Sequence, residues 1–444
     1  MVRHTQREER VKRRIAGFTL GCKVNQYDTE AMLECFERAG WEIVPFAEEA
    51  DCYIINTCTV THTGDAKSRK LIHRVNREHP SASIIAAGCL AQRAGSELAG
   101  YPGVKVVIGV QRRGECVELL RRAEETQESI DATGTLENAP FEKLTVTRHE
   151  GKTRAVMKIQ EGCSRRCAYC IIPEVRGPVR GMELNDIREE AARLARDGYR
   201  EIVITGIHLG SYERVTGTRL EDAIHAVCET EGVERVRLGS LEPGTVTERF
   251  AESLGNEKKL MHQFHLSLQS GSESVLRRMR RGYTPDMYMT AVDRLRDRMP
   301  MCAITTDIIT GFPQETEEEF AETLAFAQRV GFARIHAFPY SRRAGTEADR
   351  MPGQVSEEVK KERTARLIAL ADRLEEEYVR SNIGRRVSVL FETDEGNGLC
   401  SGYSGEYVRT VCRACPGMIG SVLVTGCKGN IAEGILTEEE EENG

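Results

Sequence analysis

Short apolar runs ending at glycine, asparagine or cysteine alternate along this chain with longer stretches of helical periodicity. Between residues 12 and 120, RIAGFTLGC, DCYIINTC, ASIIAAGC and VKVVIG read as strands. Tyr27–Gly40 reads as a helix, with Ala31, Met32, Cys35 and Phe36 on its apolar face and Gly40 as its stop. Strands alternating with helices predict a small parallel-sheet α/β domain. From Arg121 to His149 the chain turns polar and poor in large apolar residues, so 121–149 reads as a linker.

The pattern resumes over 150–378. AVMKIQ, EIVITG, VRLGSL, HLSLQS, AITTDIIT and RIHAFPY are six further strands separated by charged helical stretches. They predict an incomplete (β/α)6 barrel with apolar in-barrel positions and chemistry at the strands' C-terminal ends. A charged helix, Glu357–Arg380, closes this part. Over 381–442, RRVSVLFE, GYSGEYVRTVC, GSVLVTGC and NIAEGILT are short strands with glycine turns, which predict a small antiparallel β-barrel, and Glu438–Glu442 is an acidic solvated tail.

A chain of 444 residues is long enough for two or three such domains, and 40% hydrophobic residues suffice for their cores. No run approaches the roughly 20 apolar residues of a membrane span. The N-terminus has charges but no apolar segment before a cleavage site, so a cytoplasmic protein is expected. Fifteen cysteines, scattered and odd in number, do not form a secreted disulfide framework. The net charge of −7 carries no general signature of nucleic-acid binding, so any RNA contact must come from local patches.

The sharpest motif is Cys163-Ser-Arg-Arg-Cys167-Ala-Tyr-Cys170, just after the first barrel strand. Three thiolates on one tight loop suit three irons of a [4Fe–4S] cube and leave the fourth iron open, able to chelate a methionine moiety. A zinc knuckle is the competing reading, but the loop offers no fourth cysteine or histidine. Cys22, Cys58 and Cys89 each follow a predicted strand of the first domain. Taken singly, each suits burial as a small hydrophobe. Strand ends of one parallel sheet converge on one edge, however, so together the three read as a second cluster pocket. Cys400, Cys412, Cys415 and Cys427 include a C-x2-C, a weaker zinc candidate with irregular separations.

The Cys163 loop, with Tyr169 before its third cysteine, resembles the radical S-adenosylmethionine (SAM) superfamily. TLGCKVNQYDTE, NTCTVT with DAKSR, AGCLAQ, GCSRRCAYCIIPEVRGPVRG, HLSLQSGS, TTDIITGFPQET and FPYSRRAGTEA extend the resemblance, along nearly the whole chain, to the methylthiotransferase family. Residues around Cys22 and Cys58 resemble the branch that acts on N6-threonylcarbamoyladenosine in tRNA. The resemblance implies an N-terminal methylthiotransferase domain, a radical SAM barrel and a TRAM-like RNA-binding barrel. It also implies two [4Fe–4S] clusters, SAM used once as methyl donor and once as radical source, and a tRNA substrate. A low-potential electron donor such as flavodoxin or ferredoxin would feed the radical cluster.

Polar strand ends of the barrel include Thr205, Gly206, His208, Ser240, Glu242, His265, Ser267, Gln269 and Asp307, each also readable as a turn or cap. By resemblance, Tyr169, Gly206, Glu242 and Gln269 are the SAM neighbours. Arg342 and Arg343 suit a phosphate or carboxylate, and the threonylcarbamoyl group ends in a carboxylate; a solvated loop is the plainer reading. Two alternatives stay open. One is the same chemistry on prenyladenosine tRNA or a ribosomal-protein aspartate. The other is an iron–sulfur RNA-binding or electron-transfer protein, against which a barrel rich in polar strand ends argues.

Overall fold

The first sheet is wound from continuous apolar strands because both of its faces are covered. In the computed structural model, which describes residues 12–146 and 153–437, its strands are β1 Arg14–Thr19, β2 Glu42–Ile43, β3 Cys52–Thr57, β4 Ser83–Gly88, β5 Val104–Ile108 and β6 Ile130–Asp131. They pair in parallel in the order β2-β1-β3-β4-β5-β6. Ala16, Tyr53, Ile55, Ile84 and Ala86 pack on one face with Leu71, Ile72 and Val75 of the helix His62–Glu78. Their neighbours Ile15, Cys52, Ile54, Ile85 and Ala87 pack on the other, with Met32 and Phe36 of Lys23–Arg38 and Leu119 and Leu120 of Cys116–Thr126. Alternate residues of each strand thus feed opposite cores, as a sheet covered on both faces requires.

Two expectations change here. The first helix begins at Lys23 rather than Tyr27. The segment 121–149 is not a free linker. It starts inside the helix Cys116–Thr126, supplies β6 and continues with Leu136, Leu144 and Val146 buried. A few well-placed apolar residues anchor it, which its low average hydrophobicity hid. Residues 147–152, at the expected boundary, lie outside the described residues, as do the N-terminal segment and the acidic tail.

The chain divides into two compact units, the first being Met1–Arg148 with Glu174–Gly177 and the second His149–Pro173 with Pro178–Gly444. In the second, β7 Arg154–Glu161, β9 Glu201–Gly206 and β10 Arg235–Leu238 pair in parallel, with the two-residue β8 Arg180–Gly181 antiparallel on β7. β11 Gln263–His265, β12 Ala303–Thr310 and β13 Arg334–Pro339 form a further parallel set. Parallel bridges Val236↔Leu260 and Leu241↔Leu266 join the sets into an arc of six strands, as the sequence predicts. Not every barrel position is apolar, however. Buried Gln263 donates Nε2 to Thr305 Oγ1 at 3.1 Å, and His265 Nε2 lies 3.3 Å from Asp307 Oδ2. Polar side chains are tolerated where neighbouring strands supply each other's partners.

The last helix, Glu357–Arg380, has the bounds read from the sequence. After it, β14 Arg386–Gly396, β15 Leu399–Ser404, β16 Arg409–Arg413, β17 Ile419–Lys428 and β18 Ile431–Leu436 close a barrel in the order β14-β15-β16-β18-β17. The stretch GYSGEYVRTVC, expected as one strand, is instead the β15/β16 hairpin, which turns through Tyr407 at φ 65°.

This barrel docks on the arc through buried charge. Glu201 of β9 accepts Arg235 Nε at 2.6 Å and Arg237 Nε at 2.8 Å, both from β10. Arg235 then donates to the carbonyls of Ser388 (3.0 Å) and Tyr403 (3.1 Å), and Arg237 to those of Ser404 (2.6 Å) and Gly405 (3.2 Å). Arg154 of β7 adds a bond to Glu392 at 3.0 Å. Burial alone would raise the Glu201 carboxyl, but the charges of Arg237, Arg235 and Arg154 bring it down to about 2.

Candidate functional site

In the first unit three cysteines leave the carboxyl ends of adjacent strands. Cys22 precedes the helix Lys23–Arg38 and is exposed, and Cys58 directly follows β3. Cys89 directly follows β4 and is 3% exposed at the start of the helix Cys89–Arg93. The order β2-β1-β3 reverses between β1 and β3, and open parallel sheets bind ligands outside the strand ends at such a reversal. The cysteines read from the sequence therefore gather at the position where this topology holds ligands. Burial pushes the Cys89 thiol up to about 12; Arg176 opposes that rise, and the charges of Cys22 and Cys58 add to it.

The loops carrying these sulfurs are tied together. Asn25 Nδ2 donates to Leu20 O at 2.7 Å and Thr57 O at 3.1 Å, linking the loops after β1 and β3. Gly21 adopts φ +107°, and a Cβ there would stand 3.2 Å from Cys58 Sγ and 3.1 Å from Asn25 Nδ2. Only glycine combines that backbone with open space beside the sulfur. Arg176, fully buried, donates Nε to Cys89 Sγ at 3.2 Å, and its Nη1 lies 3.3 Å from Asp28 Oδ2. Neither Arg176 nor Asp28 is marked out by the hydrophobic pattern, since a buried charged pair interrupts no periodic face.

In the second unit Cys163, Cys167 and Cys170 lie on the loop after β7, held by Cys170 N donating to Cys167 O at 3.0 Å. Cys163 Sγ accepts Arg165 N at 3.4 Å, and Cys167 Sγ accepts Arg281 Nη1 at 3.2 Å. Burial raises the Cys163 thiol and brings that of Cys170 to about 12, so each favours the neutral thiol in the absence of a ligated cation. The three line one pocket with Tyr169, His208, Ser240, Glu242, Ser267 and Arg281. Glu242 stands 2.9 Å from Arg165 Nη2, 3.0 Å from His208 Nε2 and 3.0 Å from Arg281 Nη2. Burial works to raise its carboxyl, but His208, Arg281 and Arg165 outweigh that and bring it to about 2.

Of the expected SAM neighbours, Tyr169 and Glu242 line this pocket, whereas Gly206 and Gln269 are not among its lining residues. A Cβ on Gly206 would meet Gln160 Cβ at 2.8 Å, so its bareness serves strand packing. Gln269 takes φ +70° and exchanges backbone bonds with β12 through Asp307 O at 2.8 Å and Ile309 N at 2.9 Å. Arg342 is exposed and bonds Asp349 Oδ1 at 3.1 Å and Asp349 O at 2.8 Å, while Arg343 is 4% exposed. Sequence reasoning missed Arg281, which reaches the pocket from 114 positions beyond Cys167, and gave no role to Arg165 inside the cysteine loop itself.

A tetrahedral zinc site would draw its sulfurs to within about 4 Å of one another. Among the described residues, the group whose ligand atoms all lie within 4.8 Å is His265, Asp307 and His336, so neither cysteine trio is drawn together in that way. Cys400 and Cys412 are cross-strand partners in the core of the C-terminal barrel, and no zinc-like group forms there among the described residues.

The chain is similar to known proteins along most of its length. Residues 157–327 match the radical SAM superfamily, and residues 14–109 match the family described as uncharacterized protein family UPF0004. The chain is 40% identical over 92% of its length, and 92% of the relative's, to the threonylcarbamoyladenosine tRNA methylthiotransferase MtaB of Bacillus subtilis. It is 32% identical to the tRNA-2-methylthio-N(6)-dimethylallyladenosine synthase of Pelotomaculum thermopropionicum, over 94% of this chain and 96% of that one. In fold it resembles the radical SAM methyltransferase TsrM of Kitasatospora setae, with a TM-score of 0.57 and 14% identity, over 87% of this chain and 79% of that one. No helix among the described residues is long and apolar enough to cross a membrane.

Proposed function

Because the chain belongs to the methylthiotransferase family of radical SAM enzymes, we propose that it adds a methylthio group to carbon 2 of N6-threonylcarbamoyladenosine in tRNA, in the cytoplasm. The observation that carries the chemistry is the presence of two cysteine trios, each at strand ends of its own unit. One cluster suffices to generate a radical. A second trio fits an enzyme that must also supply the sulfur it inserts.

Cys163, Cys167 and Cys170 hold the radical SAM cluster, and Cys22, Cys58 and Cys89 hold a second [4Fe–4S] cluster. When bound, the clusters and SAM supply a methylated sulfur and a 5′-deoxyadenosyl radical strong enough to take hydrogen from an aromatic carbon. The chain's own residues bind, orient and shield. Glu242, ionised beside Arg165, Arg281 and His208, is an acceptor for donor groups of SAM. Arg281 holds Cys167 and Glu242 in register, and Tyr169, edge-on to Phe312 at 6.5 Å, closes the apolar side of the loop. Gly206 and Gln269 shape the strand ends around the cofactor. Arg342, exposed beside Asp349, is the arginine to meet the threonylcarbamoyl carboxylate; Arg343 supports the same loop from its buried position. The C-terminal barrel grips the tRNA backbone, and a flavodoxin- or ferredoxin-like protein delivers the electron.

The threonylcarbamoyl reading draws on the 40% identity to the Bacillus subtilis relative named for that substrate, against 32–37% for relatives named for dimethylallyladenosine. Reconstituted enzyme is given tRNA bearing threonylcarbamoyladenosine or prenyladenosine, and the nucleosides are weighed by mass spectrometry. Methylthiolation of the first and little of the second is expected; equal turnover of both would overturn the substrate assignment.

A further inference from the structure

Of the three first-unit cysteines, Cys89 is the buried one, and a guanidinium is aimed at its sulfur. Arg176 is held from three sides. Its Nε donates to Cys89 Sγ at 3.2 Å, its Nη2 donates to Asn25 Oδ1, and its Nη1 lies 3.3 Å from Asp28 Oδ2. Asp28 pairs in turn with Arg113, whose Nε bonds Glu142 at 2.9 Å. This is an expensive arrangement, because a fully buried guanidinium must be matched by charge and hydrogen bonds. Packing does not require a cation against a neutral thiol, which is a weak acceptor. A ligating thiolate is a far better one, and charge-assisted bonds are the strong kind.

We propose that Arg176 is a positioning residue for the first-unit cluster, fixing the Cys89 sulfur and raising the cluster's reduction potential through a charged N–H···S bond. The inference rests on the assignment of Cys22, Cys58 and Cys89 to a cluster. Its physical basis is general: each added electron makes the cluster more negative, so a cation bonded to a ligand sulfur favours the reduced form. Asn25 contributes twice, tying the loops after β1 and β3 while its Oδ1 accepts from the guanidinium. Arg176 follows Cys170 by six positions in the sequence, so the segment that ends one cluster loop supplies the cation for the other cluster's ligand.

The test uses the full-length chain with Cys163, Cys167 and Cys170 replaced by Ala, so that only the first-unit cluster can form. Iron and sulfide are counted, and the midpoint is measured by a redox titration followed by electron paramagnetic resonance. Arg176→Gln should keep its iron and shift the midpoint to more negative potential with an altered spectrum. Arg176→Lys, which keeps the charge, should shift it less. An Arg176→Gln cluster with unchanged midpoint and spectrum would overturn the proposal. Should Arg176→Gln hold no cluster, Arg176→Lys decides: recovery of the cluster supports a charge at the sulfur, and failure to recover it refutes that. A parent chain that binds no iron would instead overturn the cluster assignment itself, and the inference with it.

Discussion

Arg281 Nη1 donates to the sulfur of Cys167 at 3.2 Å, across 114 positions of sequence. Its other η-nitrogen stands 3.0 Å from Glu242 Oε1. One cation thus serves both the proposed cluster ligand Cys167 and the carboxylate that faces the same pocket. Displacing either partner changes the charge seen by the other.

Glu242→Gln should therefore weaken SAM binding without loss of iron. Losing a charged hydrogen bond costs about 1.5–3 kcal/mol, or roughly 10- to 150-fold in affinity. Equilibrium dialysis of SAM against the anaerobically reconstituted protein measures this. Unchanged affinity would remove Glu242 from the cofactor site.

Iron content separates the two cysteine sets. The reconstituted chain should hold about eight irons, in two cubes. Replacing Cys22, Cys58 and Cys89 with Ala should leave about four, as should replacing Cys163, Cys167 and Cys170. A triple variant that retains all its iron would refute its ligand assignment.

Gly21→Ala tests the space beside Cys58. The substitution forces a side chain into φ +107° and places Cβ 3.2 Å from the sulfur. The backbone cost is about 1–2 kcal/mol, and the loop must shift to relieve it. The expected outcome is a folded chain holding about four irons instead of eight, with the Cys163 cluster intact. Full loading would show that the cradle has room to spare.

The docking of the C-terminal barrel should depend on pH through Glu201. Its carboxyl is near 4.5 when unperturbed and about 2 in the folded chain. A depressed carboxylate contributes stability above its unfolded value and loses it as pH falls toward its folded one. The urea midpoint should accordingly fall between about pH 5 and pH 3, and Glu201→Gln should flatten that fall. At pH 7 the same variant should cost about 3–5 kcal/mol, since it leaves buried arginines short of counter-charge. A wild-type-like midpoint at pH 7 would show that Arg235 and Arg237 find compensation elsewhere.

The elements legible in the sequence are those whose signals are local. The Cys163 loop announces itself by spacing, and Cys22, Cys58 and Cys89 by their places after apolar runs. The helix Glu357–Arg380 is bounded as read. What escaped the sequence depends on distant partners. The strand order that sets the reversal between β1 and β3 leaves no mark in any single strand. Arg237 looks like a surface residue until its carbonyl acceptor, 167 positions away, is folded against it. The 121–149 segment was misjudged because three buried side chains, Leu136, Leu144 and Val146, anchor a stretch that is polar on average.

Six strands make an arc rather than a ring. Among the described residues β13 pairs only with β12, and β7 carries on its outer side just the two residues of β8. A closed barrel of eight receives its substrate through the mouth alone, which suits a free metabolite. An arc has a flank as well, and whatever enters by a flank need not have ends. A nucleotide still joined to its neighbours on both sides can be laid in like a page into a half-open binder, its backbone outside and one base within, without the polymer being threaded or cut.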